Sequence, residues 1–202
     1  MRFFLASASP RRRELLRNAG FDFEVRPSNI VEEIQRGDRP EEFARRAARE
    51  KAMQVAASFP RGSLVLGADT VVVIDGEMLG KPSGLDDAAR MLRLLSGRTH
   101  QVHTGICLVQ APSQIEALQH ETTFVTFRKL DEEEVRSYVE SGEPFGKAGG
   151  YAIQGLASKF VTRISGCYFN VVGLPVALVY EALKPFLKAP WLEGGASPPP
   201  EE

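Results

Sequence analysis

With 202 residues, 43% of them hydrophobic, the chain is long enough for one domain, or one domain with two lobes, around a substantial core. Its formal net charge of −1 excludes the broad basic field that marks partners made of nucleic-acid polymer; the clustering of its basic residues points to a small anion. No apolar run reaches membrane-span length and no signal-like apolar region precedes a small-residue cleavage site. Cys107 and Cys167 have neither C-x-x-C nor zinc spacing, so buried thiols and a cytoplasmic setting are expected.

Phe3 to Gly20 reads as strand, sharp turn and helix. Phe3–Ala6 is a short apolar run, Ser9 is placed to cap a helix, Pro10 suits its first position, and Gly20 suits its end. The first turn then carries Arg11, Arg12 and Arg13 at the positive end of the helix dipole, where acids are favoured. Such a cluster is either a solvated surface patch or, with Ser7 and Ser9 and free N–H groups, a phosphate site. Phe21–Val25 alternates like a second strand, and the loop after it holds Glu32, Glu33 and Asp38.

Pro40 opens a helix expected to reach about Phe59. Phe43, Ala44, Ala47, Ala48, Val55 and Phe59 share one face, with Lys51 in the middle of it, either snorkelling out or holding an anion. Leu64–Ile74 is the most apolar stretch, yet it contains Asp69-Thr70. A carboxylate there needs a partner, as a structural cap, a metal ligand or a base. Asp75-Gly76 signals a hairpin returning to Leu79-Gly80-Lys81-Pro82.

Asp86–Leu95 reads as an amphipathic helix stopped by Gly97. Arg98–Val109 and Ile115–Phe127 read as an antiparallel strand pair, with His100 and His103 on opposite faces and so poor co-ligands of one metal. Asp131 and Glu134 make a capping box. Gly142–Gly155 contains five glycines with Lys147, Tyr151 and Gln154, either a flexible loop or a close-approach ligand loop. Phe160–Ile164 reads as a strand and Val176–Leu187 as a closing helix. A domain over residues 1–188 is expected, with a disordered Pro/Gly/Glu-rich tail over 189–202.

In this order the motifs resemble the Maf family of nucleoside triphosphate pyrophosphatases. The matching stretches are Ser7–Arg12 with Glu14–Leu16, Ala48–Ala52, Gly67–Thr70, Leu79–Pro82, Ser96–His100 and Lys147–Gly149 through Gln154–Gly155. Tyr151-Ala152-Ile153-Gln154-Gly155 is similar to the branch that hydrolyses dTTP and UTP. One departure is Gly146, where the family commonly has Asp.

The resemblance implies an α/β fold, an elongated mixed β-sheet with flanking helices and two lobes around a central cleft, often as a homodimer. It implies Asp69 as proton acceptor, Arg11, Thr70 and Gln154 as base-specificity positions, and Ser7, Arg12, Lys51 and Lys81 as phosphate-facing positions. Asp69 and a loop acid, either of the adjacent Glu32 and Glu33 with Glu33 favoured, are expected as hard oxygen ligands to hold Mg²⁺ or Mn²⁺. The expected reaction is water attack at the α-phosphorus of dTTP, UTP or a modified pyrimidine nucleotide, releasing pyrophosphate. The rival expectation is a nucleotide-sensing regulator of septum formation without catalysis.

Overall fold

The computed structural model describes residues 2–35 and 37–187; the tail expected from residue 189 lies outside them. In chain order the elements are β1 (Phe3–Leu5), α1 (Pro10–Asn18), β2 (Glu24–Val25), α2 (Pro40–Ala56), β3 (Leu64–Ile74) and β4 (Glu77–Leu79). There follow α3 (Leu85–Leu95), β5 (Thr99–Gln110), β6 (Gln114–Phe127), α4 (Glu132–Glu140), β7 (Val161–Ser165), α5 (Tyr168–Val172) and α6 (Val176–Leu183). Seven strands form one mixed sheet in the order β2-β1-β3-β5-β6-β7, with β4 also on β3. The α/β class and the mixed sheet agree with expectation.

The central strand explains where a site can form. β5 pairs antiparallel along nearly the whole length of β3 on one edge. On the other edge β1 pairs in parallel with Leu64–Leu66 only, and β4 pairs antiparallel with Val72–Ile74 only. Among the described residues, the edge between them, Gly67–Val71, has no strand partner. Its backbone groups and the side chains of Asp69 and Thr70 are therefore available to something other than the sheet.

Alternation along β3 sorts its side chains between two faces. On one face α2 lays Ala48, Ala52, Val55 and Ala56 against Phe4, Val65, Cys107 and Val109, and Phe43 and Ala44 against Val71 and Val73. Gly67 and Gly105 permit this close approach. A Cβ on Gly67 would stand 2.8 Å from Ala52 N, and one on Gly105 would stand 2.6 Å from Arg45 N. The opposite face carries the larger core, where Leu16, Met91, Leu92, Val135, Val179 and Leu183 gather α1, α3, α4 and α6 over Leu66, Val72, Ile106 and Phe127.

Several expected boundaries shift for identifiable reasons. The Phe21–Val25 strand shrinks to Glu24–Val25, because Phe21 and Phe23 turn edge-on to Phe3 with centroids 6.3 and 6.2 Å away. The second helix stops at Ala56, and Phe59 folds back to stack on Phe4 at 3.9 Å. Phe160 closes a 3₁₀ turn, so its strand starts at Val161. The closing helix ends at Leu183, and Lys184–Phe186 tightens to a 3₁₀ turn around Pro185, which has no N–H to continue an α-helix. The Asp131–Glu134 capping box is present, with Glu134 N on Asp131 Oδ1 at 2.8 Å.

Candidate active site

α1 begins as its sequence dictates. The Ser9 hydroxyl accepts from Arg12 N at 3.4 Å, Pro10 fills the first helical position, and no acid occupies the first turn. This turn, the unpaired edge of β3, Lys51 of α2, Lys81 after β4 and the loop over Lys147–Gln154 enclose a cavity of about 450 Å³. That volume suits a nucleotide-sized ligand. Asp69 and Thr70 point to opposite faces of β3, yet both line this cavity, because the bare edge lets it reach around the strand.

Asp69 is buried, and its partner is Lys51, whose Nζ donates to Asp69 Oδ1 at 2.6 Å. Lys51, itself buried, also pairs with Glu32. The other Glu32 oxygen lies 3.5 Å from Lys81 Nζ. Of the two readings of Lys51, the structure supports the one in which it holds an anion, here two carboxylates. Burial drives Asp69 above the usual aspartate range and nearby Glu32 adds to this, against the opposing pull of Lys51 and Arg12. Burial also works against an ionised Glu32, but Lys51, Lys81 and Arg12 together outweigh it and hold Glu32 below the usual carboxylate range.

The loop acid requires a correction. Glu33 was the residue expected beside Asp69, and Glu32 stands there instead. Neighbouring side chains of this extended segment face opposite ways: Glu32 is half-buried at the cavity, whereas Glu33 is exposed and its carbonyl accepts from Arg46 Nη2 at 3.2 Å. Asp69 and Glu32 are hard oxygen donors meeting at one ammonium. Among the described residues no group of three or more His, Cys, Asp or Glu could hold a metal alone. Two carboxylates with phosphate and water oxygens completing the shell match how Mg²⁺ is usually held, so these residues fit such an ion.

The arginine cluster divides into three parts. Arg13 is exposed. Arg12 is a buried strut: Nε donates to Gly173 O at 2.8 Å, Nη1 to Ala68 O at 2.9 Å and Ser7 Oγ at 3.2 Å, and Nη2 to Thr70 Oγ1 at 2.9 Å. Four of the five guanidinium N–H groups are thereby committed to the protein. Thr70 Oγ1 also bonds Thr104 Oγ1 at 2.9 Å. Ser7, Arg12 and Thr70 line the cavity but chiefly hold one another. Arg11 is the arginine facing the ligand space, tethered among the described residues only by Nε to Val172 O at 3.3 Å.

Gln154 is exposed at the cavity, in a tight turn closed by Gly155 N to Ala152 O at 3.0 Å. Lys147, singled out in the sequence without a role, also lines the cavity; its Nζ donates to the carbonyls of Glu143 and Phe145. Burial and Arg11 both depress its pKa. Gly146 adopts φ 73° with open space where a Cβ would stand, so an aspartate there would meet no neighbouring atom but would strain the left-handed backbone. His100 and His103 do fall on opposite faces. His100 bonds Tyr151 OH at 2.8 Å beneath the glycine-rich loop, and His103 bonds Gln101 and Thr122.

A family model described as Maf-like protein matches residues 2–186. A dTTP/UTP pyrophosphatase from Koribacter versatilis is 50% identical over 184 residues, covering 91% of this chain and 94% of its own. Proteins of the same name from Ruminiclostridium cellulolyticum and Caldanaerobacter subterraneus are 51% and 43% identical, covering 85% and 96% of this chain and 89% and 94% of theirs. Among solved structures, a nucleoside-triphosphatase / dITP/XTP pyrophosphatase from Mycobacterium abscessus aligns over 95% of this chain and 100% of its own, at 16% identity and a TM-score of 0.42. That likeness is too loose to carry any residue across.

Proposed function

This chain belongs to the Maf family, and from that premise we propose that it hydrolyses nucleoside triphosphates, dTTP and UTP foremost, to the monophosphate and pyrophosphate. The observation that carries the reading is one buried carboxylate, Asp69, set among cations in a nucleotide-sized cavity. A pure nucleotide sensor would gain nothing from burying a negative charge where a triphosphate must sit, so catalysis is favoured over a regulator without turnover.

In this reading Arg11, Lys51 and Lys81 offset the roughly four negative charges of the triphosphate, as point charges and a planar fork. Arg12 and Ser7 hold the corner of the cavity that those charges enter. A divalent cation, Mg²⁺ or Mn²⁺, held by Asp69 and Glu32 would supply further charge neutralisation at the phosphate oxygens. Asp69 takes the proton of the attacking water, its carboxyl lying on the cavity wall beside Lys51. When phosphate oxygens draw Lys51 toward them, the Asp69 Oδ1 that accepts from it here is released for that proton. The Gln154 amide presents a donor and an acceptor, matching the O4/N3 edge shared by uracil and thymine.

No helix among the described residues is long and apolar enough to cross a membrane. A cytoplasmic homodimer acting on free nucleotides, without a nucleic-acid polymer, belongs to the same reading. The test is pyrophosphate release from a panel of canonical and modified nucleoside triphosphates, with and without Mg²⁺ or Mn²⁺. Fast release from dTTP and UTP is expected; orthophosphate as the product, or equal rates on all bases, would overturn the reading.

A further inference from the structure

Gln154 has an unusual problem for a base reader: it sits on a turn with no regular secondary structure of its own to hold it. The turn is held at both ends by a single carboxylate. Downstream, Glu143 Oε2 accepts from Leu156 N at 2.9 Å and Glu143 Oε1 accepts from Ala157 N at 3.3 Å. Upstream, Tyr138 OH donates to Glu143 Oε1 at 2.8 Å while accepting from Ala152 N at 3.2 Å. Gly155 leaves room for this carboxylate, since a Cβ there would stand 2.5 Å from Glu143 Cδ. Tyr138 is fixed in turn, buried on α4 with its ring edge-on to Phe160 at 5.3 Å.

We propose that Glu143, relayed through Tyr138, is the positioning residue that sets base preference by fixing the turn carrying Gln154, without touching the nucleotide. The inference rests on the reading of Gln154 as the base reader. Local chemistry makes the carboxylate hard to replace. Both Glu143 oxygens face backbone N–H groups, so an amide of the same shape must oppose one N–H with its own NH₂ in either orientation. A turn released at one end still reaches the substrate but no longer holds its amide at one place. Discrimination among bases suffers first, because it depends on groups placed to hydrogen-bond a single edge.

The experiment measures kcat and KM for UTP, dTTP, CTP and ATP in wild type, Glu143→Gln, Tyr138→Phe, Gln154→Ala and the Glu143→Gln, Gln154→Ala double variant, with UMP and CMP affinities of the metal-free proteins and thermal midpoints. Glu143→Gln is expected to lower the UTP-over-CTP ratio of kcat/KM about tenfold, mainly through KM, and to shrink the UMP-over-CMP affinity ratio in parallel. Tyr138→Phe, which leaves the core ring in place, gives a smaller shift of the same sign and decides the matter if Glu143→Gln does not fold. In a Gln154→Ala background the Glu143 change adds no further loss of selectivity. Equal losses on every nucleotide with the ratio intact would reduce Glu143 to a structural role and overturn the inference alone. A wild type without a UTP-over-CTP preference, or a Gln154→Ala variant that keeps it, would overturn the base-reader reading and this inference together.

Discussion

Gly67→Ala tests the packing that brings Lys51 to Asp69. The new Cβ would fall inside contact distance of Ala48 O, 2.8 Å from Ala52 N and 2.9 Å from Ala52 Cβ. These are backbone atoms and the first side-chain atom of a helix, so no flexible group can swing aside, and α2 must withdraw by about 1 Å to restore ordinary contact. Overpacking against rigid neighbours costs about 3 kcal/mol, which for a chain of this size lowers the melting temperature by about 6–12 °C. Lys51 lies between Ala48 and Ala52 on the displaced stretch, so its 2.6 Å contact with Asp69 opens. A misplacement of about 1 Å lowers turnover of the folded enzyme about a hundredfold. Thermal and urea unfolding, with pyrophosphate release scaled to the folded fraction, read both effects, and Gly80→Ala, with nothing within 4 Å of its Cβ, serves as the stability control. A Gly67→Ala protein that melts and turns over like wild type would refute the argument that α2 sits as close as the sheet allows.

Asp69→Asn is expected to lower turnover by about 10²–10⁴ while leaving nucleotide affinity nearly intact, measured by single-turnover assay and equilibrium binding. Burial raises the Asp69 pKa, so in the metal-free protein this carboxyl is expected to ionise above the ordinary aspartate range as pH rises, read by NMR titration of wild type against Asp69→Asn; ionisation within the ordinary range would contradict the burial argument. Glu32→Gln impairs metal-dependent turnover about tenfold or more whereas Glu33→Gln leaves it within twofold, and the reverse order would restore the sequence-based choice. His100 is buried and its pKa is pushed down from 6.5 to about 4 by burial. The folded chain keeps it neutral while the unfolded chain takes up a proton, so stability is whole above pH 6.5 and declines as pH falls toward 4, by up to about 3 kcal/mol. Urea unfolding of wild type and His100→Phe should show their stability gap closing by that amount over the interval; a constant gap would contradict it.

Much of the site was legible because burying charge is expensive and leaves a mark in sequence. Asp69 inside an apolar strand and Lys51 on an apolar helix face both advertised an unmet need, and the structure joins them. What stayed hidden depends on contacts distant in sequence. Arg12 shares its charge and its helix turn with Arg11 and Arg13, but beyond nearby Ser7 its partners come from residues 68, 70 and 173, which no local pattern brings together. Glu32 and Glu33 could not be separated, because an irregular loop has no period from which to deduce a facing side. Nor did periodicity reveal that β1 and β4 share one edge of β3 and stop short of each other, the gap on which the cavity depends.

The guanidinium of Arg12 reaches Gly173, 161 positions later in the chain. One wall of the cavity is thus stitched from two distant stretches of chain, and the carbonyl that steadies the guanidinium is supplied by the turn after α5. Loosening that turn therefore unsettles the cationic corner from behind, although Gly173 lies far from Arg12 in sequence.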